Sequence, residues 1–152
     1  MNEECQVYVY NRTREAFVGT EVTVAGTYLA RLVGLLGKTA RWARPGRGLL
    51  IVPSRGIHTI GMLFPIDLVF LDQNKAVIHL EEYVRPFSFS RICLKASSVL
   101  ELPPHTIFRT GTRIGDRLEI TPVIADLPGD KREESSETVA ATRAQPQAVS
   151  RR

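Results

Sequence analysis

No apolar run in this 152-residue chain approaches the roughly 20 residues that a transmembrane helix requires. The opening ten residues, "MNEECQVYVY", lack both the basic region and the apolar core of a secretory signal. The expectation is a cytoplasmic protein without a membrane span. Two cysteines, Cys5 and Cys93, are too few for a small-domain disulfide framework, and a reducing compartment would keep both as thiols. The three histidines, His58, His79 and His105, stand far apart, and neither His-x-His nor Cys-x-x-Cys occurs. Such spacing supplies no metal site; the one remaining route to an ion is a composite of His58, Asp67 and Glu101. Cys93 lacks the local signature of a nucleophile, and no glycine-rich phosphate loop follows a strand and opens a helix. No cofactor is implied.

Acidic residues are absent between Glu21 and Asp67, where Arg31, Lys38, Arg41, Arg44, Arg47 and Arg55 all fall, with Trp42 among them. A basic loop over 41–55 could meet phosphate or an acidic partner. No nucleic-acid motif accompanies it, so nucleic acid ranks last among the partners considered. From Asp126 onward there is neither an aromatic residue nor an isoleucine, and the five acidic and five basic side chains cancel. Such a tail cannot bury enough apolar surface to offset its ordering entropy, so residues 126–152 are expected to be disordered. The formal charge of +4 therefore belongs to a single domain over residues 1–125.

What is present is mostly strand pattern. "QVYVY" at 6–10 alternates, and "TEVTVA" at 20–25 repeats the pattern after a break at Gly19. Leu29, Leu32, Val33 and Leu36 then follow helical spacing, with Thr27 as N-cap and Gly37 as stop. Gly34 within that helix suggests close packing onto a strand. "GLLIVP" and "PIDLVFLD" read as buried strands, "QNK" as a polar turn, and "AVIHLEEYV" as the hairpin partner of the second. "SSVLELP" is a strand halted at Pro103-Pro104. A short helix over "HTIFRTG" ends at Gly111, and a Gly-Asp turn leads into a last strand, "RLEIT". About seven short strands and two short helices predict a mainly β (α+β) fold, a compact rolled sheet or small barrel.

Four segments together resemble the domain of unknown function 192 family. They are "RLVGLLGK", "FPIDLVFLD", "SSVLELPPHT" and "TRIGDRLEI", which occur in the family's order across residues 24–121. The resemblance implies a small, mostly β domain with short helices and carries over no activity. Relatives beside pilus-assembly and secretion genes suggest an accessory role in pilus or envelope assembly. Where many relatives read Phe-Trp-Met-x-Asn-Thr, this chain has Ile57-His58-Thr59-Ile60-Gly61-Met62, and Leu36 replaces the usual methionine.

Asp67 poses the main question. As a strand residue it shares a face with Val69 and Leu71, while Ile66, Leu68 and Phe70 take the other, so the strand should be covered on both sides. A carboxylate there needs a partner. The preceding loop offers Arg55, His58, Thr59 and the amides around Gly61. Either Asp67 pins that loop, or it orients His58 toward a pocket as an anchor or general base. Glu101 raises the same question, with Arg109 or Arg113 as ion-pair partners. Asp116, in its Gly-Asp turn, should bond its own backbone. Phe87 and Phe89, alternating with serines between Arg85 and Arg91, form a candidate partner surface.

The expected function is a non-catalytic binding module. Its small polar cleft would lie around the His58–Asp67 loop, with Arg55, Thr59, Gly61 and Glu101 as further contacts to a small ligand or protein partner. The alternatives are a small hydrolase using His58 as base oriented by Asp67, and polyanion binding through the 41–55 loop. A monomer or weak dimer is expected.

Overall fold

The computed structural model describes residues 5–26 and 40–123. The helix expected over 27–37, with its Gly34, and the tail beyond Asp126 lie outside the described residues. Strand β1 (Gln6–Asn11) turns Val7 and Val9 inward and Gln6 and Tyr8 outward, as its alternation predicts. It forms a hairpin with β2 (Ala16–Ala25). Gly19 does not break β2, contrary to expectation. The strand runs through it at a register irregularity opposite Val9, where a Cβ would collide with the Val22 side chain. The glycine is there for close approach, not for a turn.

A 3-10 turn at Ala40–Trp42 leads to β3 (Arg47–Ile51), which lies parallel to β2. Strands β4 (Ile66–Leu71) and β5 (Val77–Val84) form the expected hairpin. Asp72 closes their turn by accepting the Asn74 and Ala76 amides through Oδ1. Strand β6 (Ser98–Leu102), helix α1 (Thr106–Thr110) and β7 (Leu118–Pro122) complete the described chain. Gly111, at φ 63°, ends α1 as expected.

The seven strands form one sheet in the order β5-β4-β6-β3-β2-β1-β7. Its two outer strands meet at one end, where the Val77 amide donates to Asp116 O at 2.9 Å and the Leu118 amide to Lys75 O at 3.0 Å. The sheet thus curls into a half-barrel, a mainly β fold with very little helix. Asp116 secures this closure. It accepts the Arg113 amide within its own turn, and also Asn11 Nδ2 at 2.9 Å and Arg14 Nε at 3.0 Å. Burial pushes its carboxyl upward, but the bonds from Arg14, Asn11 and Arg113 outweigh that and hold it below the usual range.

Two apolar clusters cover the sheet. One draws on every strand of the curl, including Val9, Val22, Leu50, Val69 and Leu100, and takes in Ile107 of α1; it is the inside of the half-barrel. The other joins Leu49, Ile51, Leu68, Phe70 and Val99 on the outer face, beneath Met62 and Phe64 of the 57–64 loop. All six residues of β4 are buried, so the strand is covered on both faces.

Candidate functional site

Asp67 is fully buried, and both its oxygens are engaged. Oδ1 accepts the Tyr83 amide at 3.0 Å and Oδ2 accepts the Ile107 amide at 3.0 Å. Neither donor has a strand partner to turn to. The β4–β5 register jumps from Ile66↔Val84 to Leu68↔Glu81, so Glu82 and Tyr83 together oppose Asp67 as a bulge. Ile107 stands in the first turn of α1, whose amides are unserved within the helix; His105, in the N-cap position, gives no side-chain cap. Tyr83 (φ 54°) and His105 (φ 65°) are both left-handed, and their rings meet in a tilted contact with centroids 5.3 Å apart.

The expected pairing of Asp67 with the loop before it is therefore not made. Asp67 shares its face with Val69 and Leu71 inside the curl, whereas Met62 and Phe64 of that loop cover the outside. Strand geometry separates them: adjacent positions of β4 point to opposite faces, and the loop folds over the even-numbered set. The dyad of His58 and Asp67 does not form. The composite metal site fails likewise, because Glu101 pairs across the sheet with Leu49 and Leu68 on the outer face.

The loop is held by a different partner, the segment after β5. Residues 55–59 and 87–93 run antiparallel as an irregular ribbon outside the sheet. Arg55 O accepts the Cys93 amide, Ile57 O the Ser90 amide, and the Thr59 amide donates to Ser88 O. His58 and Phe89 face each other across it, with ring centroids 6.4 Å apart. Two polar side chains turn inward as struts. Thr59 Oγ1 donates to Arg85 O at 2.7 Å and accepts the Ser88 amide at 2.8 Å, and Ser90 Oγ accepts the Ile57 amide at 2.8 Å. Gly56 lets the two arms close, since a Cβ there would lie 3.2 Å from Arg91 O. Gly61, at φ 81°, forms the turn in which the Met62 amide returns to Thr59 O.

With the struts inward, large apolar side chains face out. Phe87, Phe89, Ile92 and Leu94 are 67%, 74%, 72% and 74% exposed. Between the arms lies an open, mostly apolar groove of about 420 Å³, lined by Arg55, Gly56, Ile57, His58, Phe89, Ser90 and Ile92. The candidate ligand loop and the candidate partner surface are thus one feature, carrying Arg55, His58 and Phe89 together. The expected polar cleft is largely apolar, and Thr59 and Gly61 shape it from behind. Ser90, Ile57 and Ile92 were not foreseen; the "SFS" alternation is the signal that marked the inward serines.

The arginines expected to act as one basic loop are divided. Arg47 pairs with Glu21 at 3.2 Å, Arg55 lines the groove, and Arg41 and Arg44 stand exposed; Arg31 and Lys38 lie outside the described residues. The ion pair expected for Glu101 is also absent, since Arg109 donates to Thr106 Oγ1 instead. Glu101 is buried, and its Oε2 has no hydrogen-bond partner. Burial pushes this carboxyl up to about 8, so it is protonated at neutral pH.

Two stability measurements follow. Asp67→Ala removes the acceptor of a buried amide, Ile107, and a partly buried one, Tyr83, and should lower the unfolding free energy by roughly 2–4 kcal/mol in urea titration; a loss under 1 kcal/mol contradicts this role. Glu101 is protonated when folded but ionises near 4.5 when unfolded, so its contribution is present below that pH. It is lost as pH rises toward 8, at a slope of about 1.4 kcal/mol per unit, and levels off above. Glu101→Gln should flatten this decline; an unchanged profile contradicts the assignment.

The comparisons with known proteins agree with the architecture. A UPF0127 protein of Pyrococcus furiosus is 27% identical over 114 residues, spanning 72% of this chain and 94% of that one. A crystal structure described as a candidate transcription regulator of Sinorhizobium meliloti 1021 matches at a TM-score of 0.64 and 25% identity, covering 78% of this chain and 94% of that one. A protein of unknown function from Novosphingobium aromaticivorans shares the fold at a TM-score of 0.63 and 19% identity, covering 75% and 83% of the two chains. Residues 9–120 match the sequence pattern of the DUF192 family, described as "Uncharacterized ACR", and the chain belongs to that family.

Proposed function

We propose that this protein is a non-catalytic binding module whose contact surface is the ribbon formed by residues 55–59 and 87–93. One observation carries the reading: the ribbon turns Thr59 and Ser90 inward and its phenylalanines outward. A free surface gains nothing from that inversion, because exposing phenylalanine forgoes the burial energy of a large ring. A partner that covers the rings recovers it. The groove beneath Phe89 receives an apolar group, while Arg55 and His58 at its edge supply polar contacts to whatever the group is attached to.

The hydrolase alternative requires an acid to hold the His58 ring in one tautomer. Asp67 is bonded to Tyr83 and Ile107 instead, and the ring of His58 lies against Phe89. Binding is the function that the arrangement supports best.

The fluorescent amphiphile 8-anilinonaphthalene-1-sulfonate combines an apolar ring system with one negative charge and so probes this groove. Native protein at neutral pH should enhance its fluorescence. Phe89→Ser should weaken that binding about 10-fold or more by removing the ring that walls the groove, with no change in melting temperature. Absence of enhancement in the wild type, or an unaltered affinity in the variant, contradicts the proposal.

A further inference from the structure

The charges on the ribbon are of one sign. Residues 53–66 and 83–97, which make up its arms and flanks, contain Arg55, Arg85, Arg91 and Lys95 and no acidic side chain. All four cations are exposed, and none has an ion pair among the described residues. Arg12, Arg14 and Arg47, elsewhere on the surface, do have carboxylate partners. Two acids precede the second arm: Glu81 accepts the Arg91 amide and lies 3.4 Å from His79, and Glu82 is exposed but makes no ion pair among the described residues. Interleaved with these cations are Phe87, Phe89, Ile92 and Leu94, each at least two-thirds exposed, and Leu63 at 68%.

We propose that the ribbon seats this protein on an anionic lipid surface. The inference rests on reading the ribbon as a binding surface and names what it binds. Two properties select a bilayer over an acidic peptide. The apolar side chains project from the protein instead of lining a deep trough, and a headgroup–acyl boundary is a partner that accepts projecting rings. The groove is open and shallow, too little enclosed to bury the anchors of a docked peptide. In the proposed attachment the phenylalanines, Ile92 and Leu94 enter the upper acyl region. Arg55, Arg85, Arg91 and Lys95 remain at the level of the phosphates, which attract them, and the two arms themselves add no acidic side chain to oppose that attraction. No helix among the described residues is long and apolar enough to cross a membrane, so the attachment is peripheral.

The test uses the full chain with unilamellar vesicles of phosphatidylcholine alone or mixed with phosphatidylglycerol, measured by co-sedimentation at low and high salt. The protein should bind the mixed vesicles at least about 10-fold more tightly, and salt should reduce the difference. Replacing two cations, Arg85→Gln with Arg91→Gln, should weaken binding about 30-fold. Phe87→Ser with Phe89→Ser should weaken it similarly even at low salt. All four substitutions are at exposed positions, and an unchanged melting temperature checks that the variants fold. Equal binding to both vesicle types, or no loss in either double variant, overturns the proposal. If the sulfonate probe binds but vesicles do not, the lipid assignment fails while the ribbon stands as a binding surface. Capture of polyglutamate without vesicle binding overturns it in favour of an acidic protein partner.

Discussion

A carboxyl group buried in a β-sheet either stays neutral or draws on donors that the sheet itself does not need. Asp67 does the latter with two backbone amides, one from a bulge and one from the first turn of a helix. Ordinary ladder positions could not have provided them, because their amides already face neighbouring carbonyls. The bulge and the helix start are left-handed or uncapped on their own, and each is a place where the chain would otherwise fray. One carboxylate therefore stabilises two local irregularities, and the irregularities in turn make a buried carboxylate tolerable. Of the three elements it joins, β4 and β5 are already paired as a hairpin, whereas α1 shares no turn with either.

That bond also bears on the outer surface. Tyr83 is the second-last residue of β5, and the chain leaves the strand there to become the second arm of the ribbon. The first arm is the lead-in to β4, the strand that carries Asp67. Both arms thus depart from the same buried point, on the far side of the sheet from the carboxylate. Thr59 and Ser90 then lock the arms to each other through main-chain atoms, which leaves the outward side chains free of structural duty. Exposed phenylalanines at such positions cost little stability to change, and so a contact surface can vary there while the frame is kept. Glu101 is the opposite case: it is buried opposite Leu49 and Leu68, its Oε2 has no hydrogen-bond partner, and burial holds it as a neutral acid.

Most of the frame was legible in the residues. Alternation at Val7 and Val9, the double-sided apolar run at 66–71, and Gly111 at the end of α1 each report a local preference that the fold obeys. The family resemblance pointed to the same architecture. Asp67 was legible as an anomaly, but its partners were not, because a backbone amide at Tyr83 or Ile107 has no residue-type signature. The same limit hid the ribbon. Ile57 and Ser90 are 33 positions apart, and their pairing depends on how two loops leave the sheet, a tertiary outcome to which no short window is sensitive. The "SFS" alternation did mark a strand-like segment, yet pattern alone could not say that its partner was the loop before β4 instead of a neighbouring copy.

Amide hydrogen exchange, followed residue by residue, tests the central claim most directly. A bulge amide and a first-turn helix amide are normally among the fastest in a fold, since no secondary-structure bond covers them. The account predicts that Tyr83 and Ile107 exchange as slowly as the interior of β4, and that both accelerate together in Asp67→Asn. Rapid exchange at either amide in the native protein, with β4 still protected, would show that the carboxylate does not hold the two elements together.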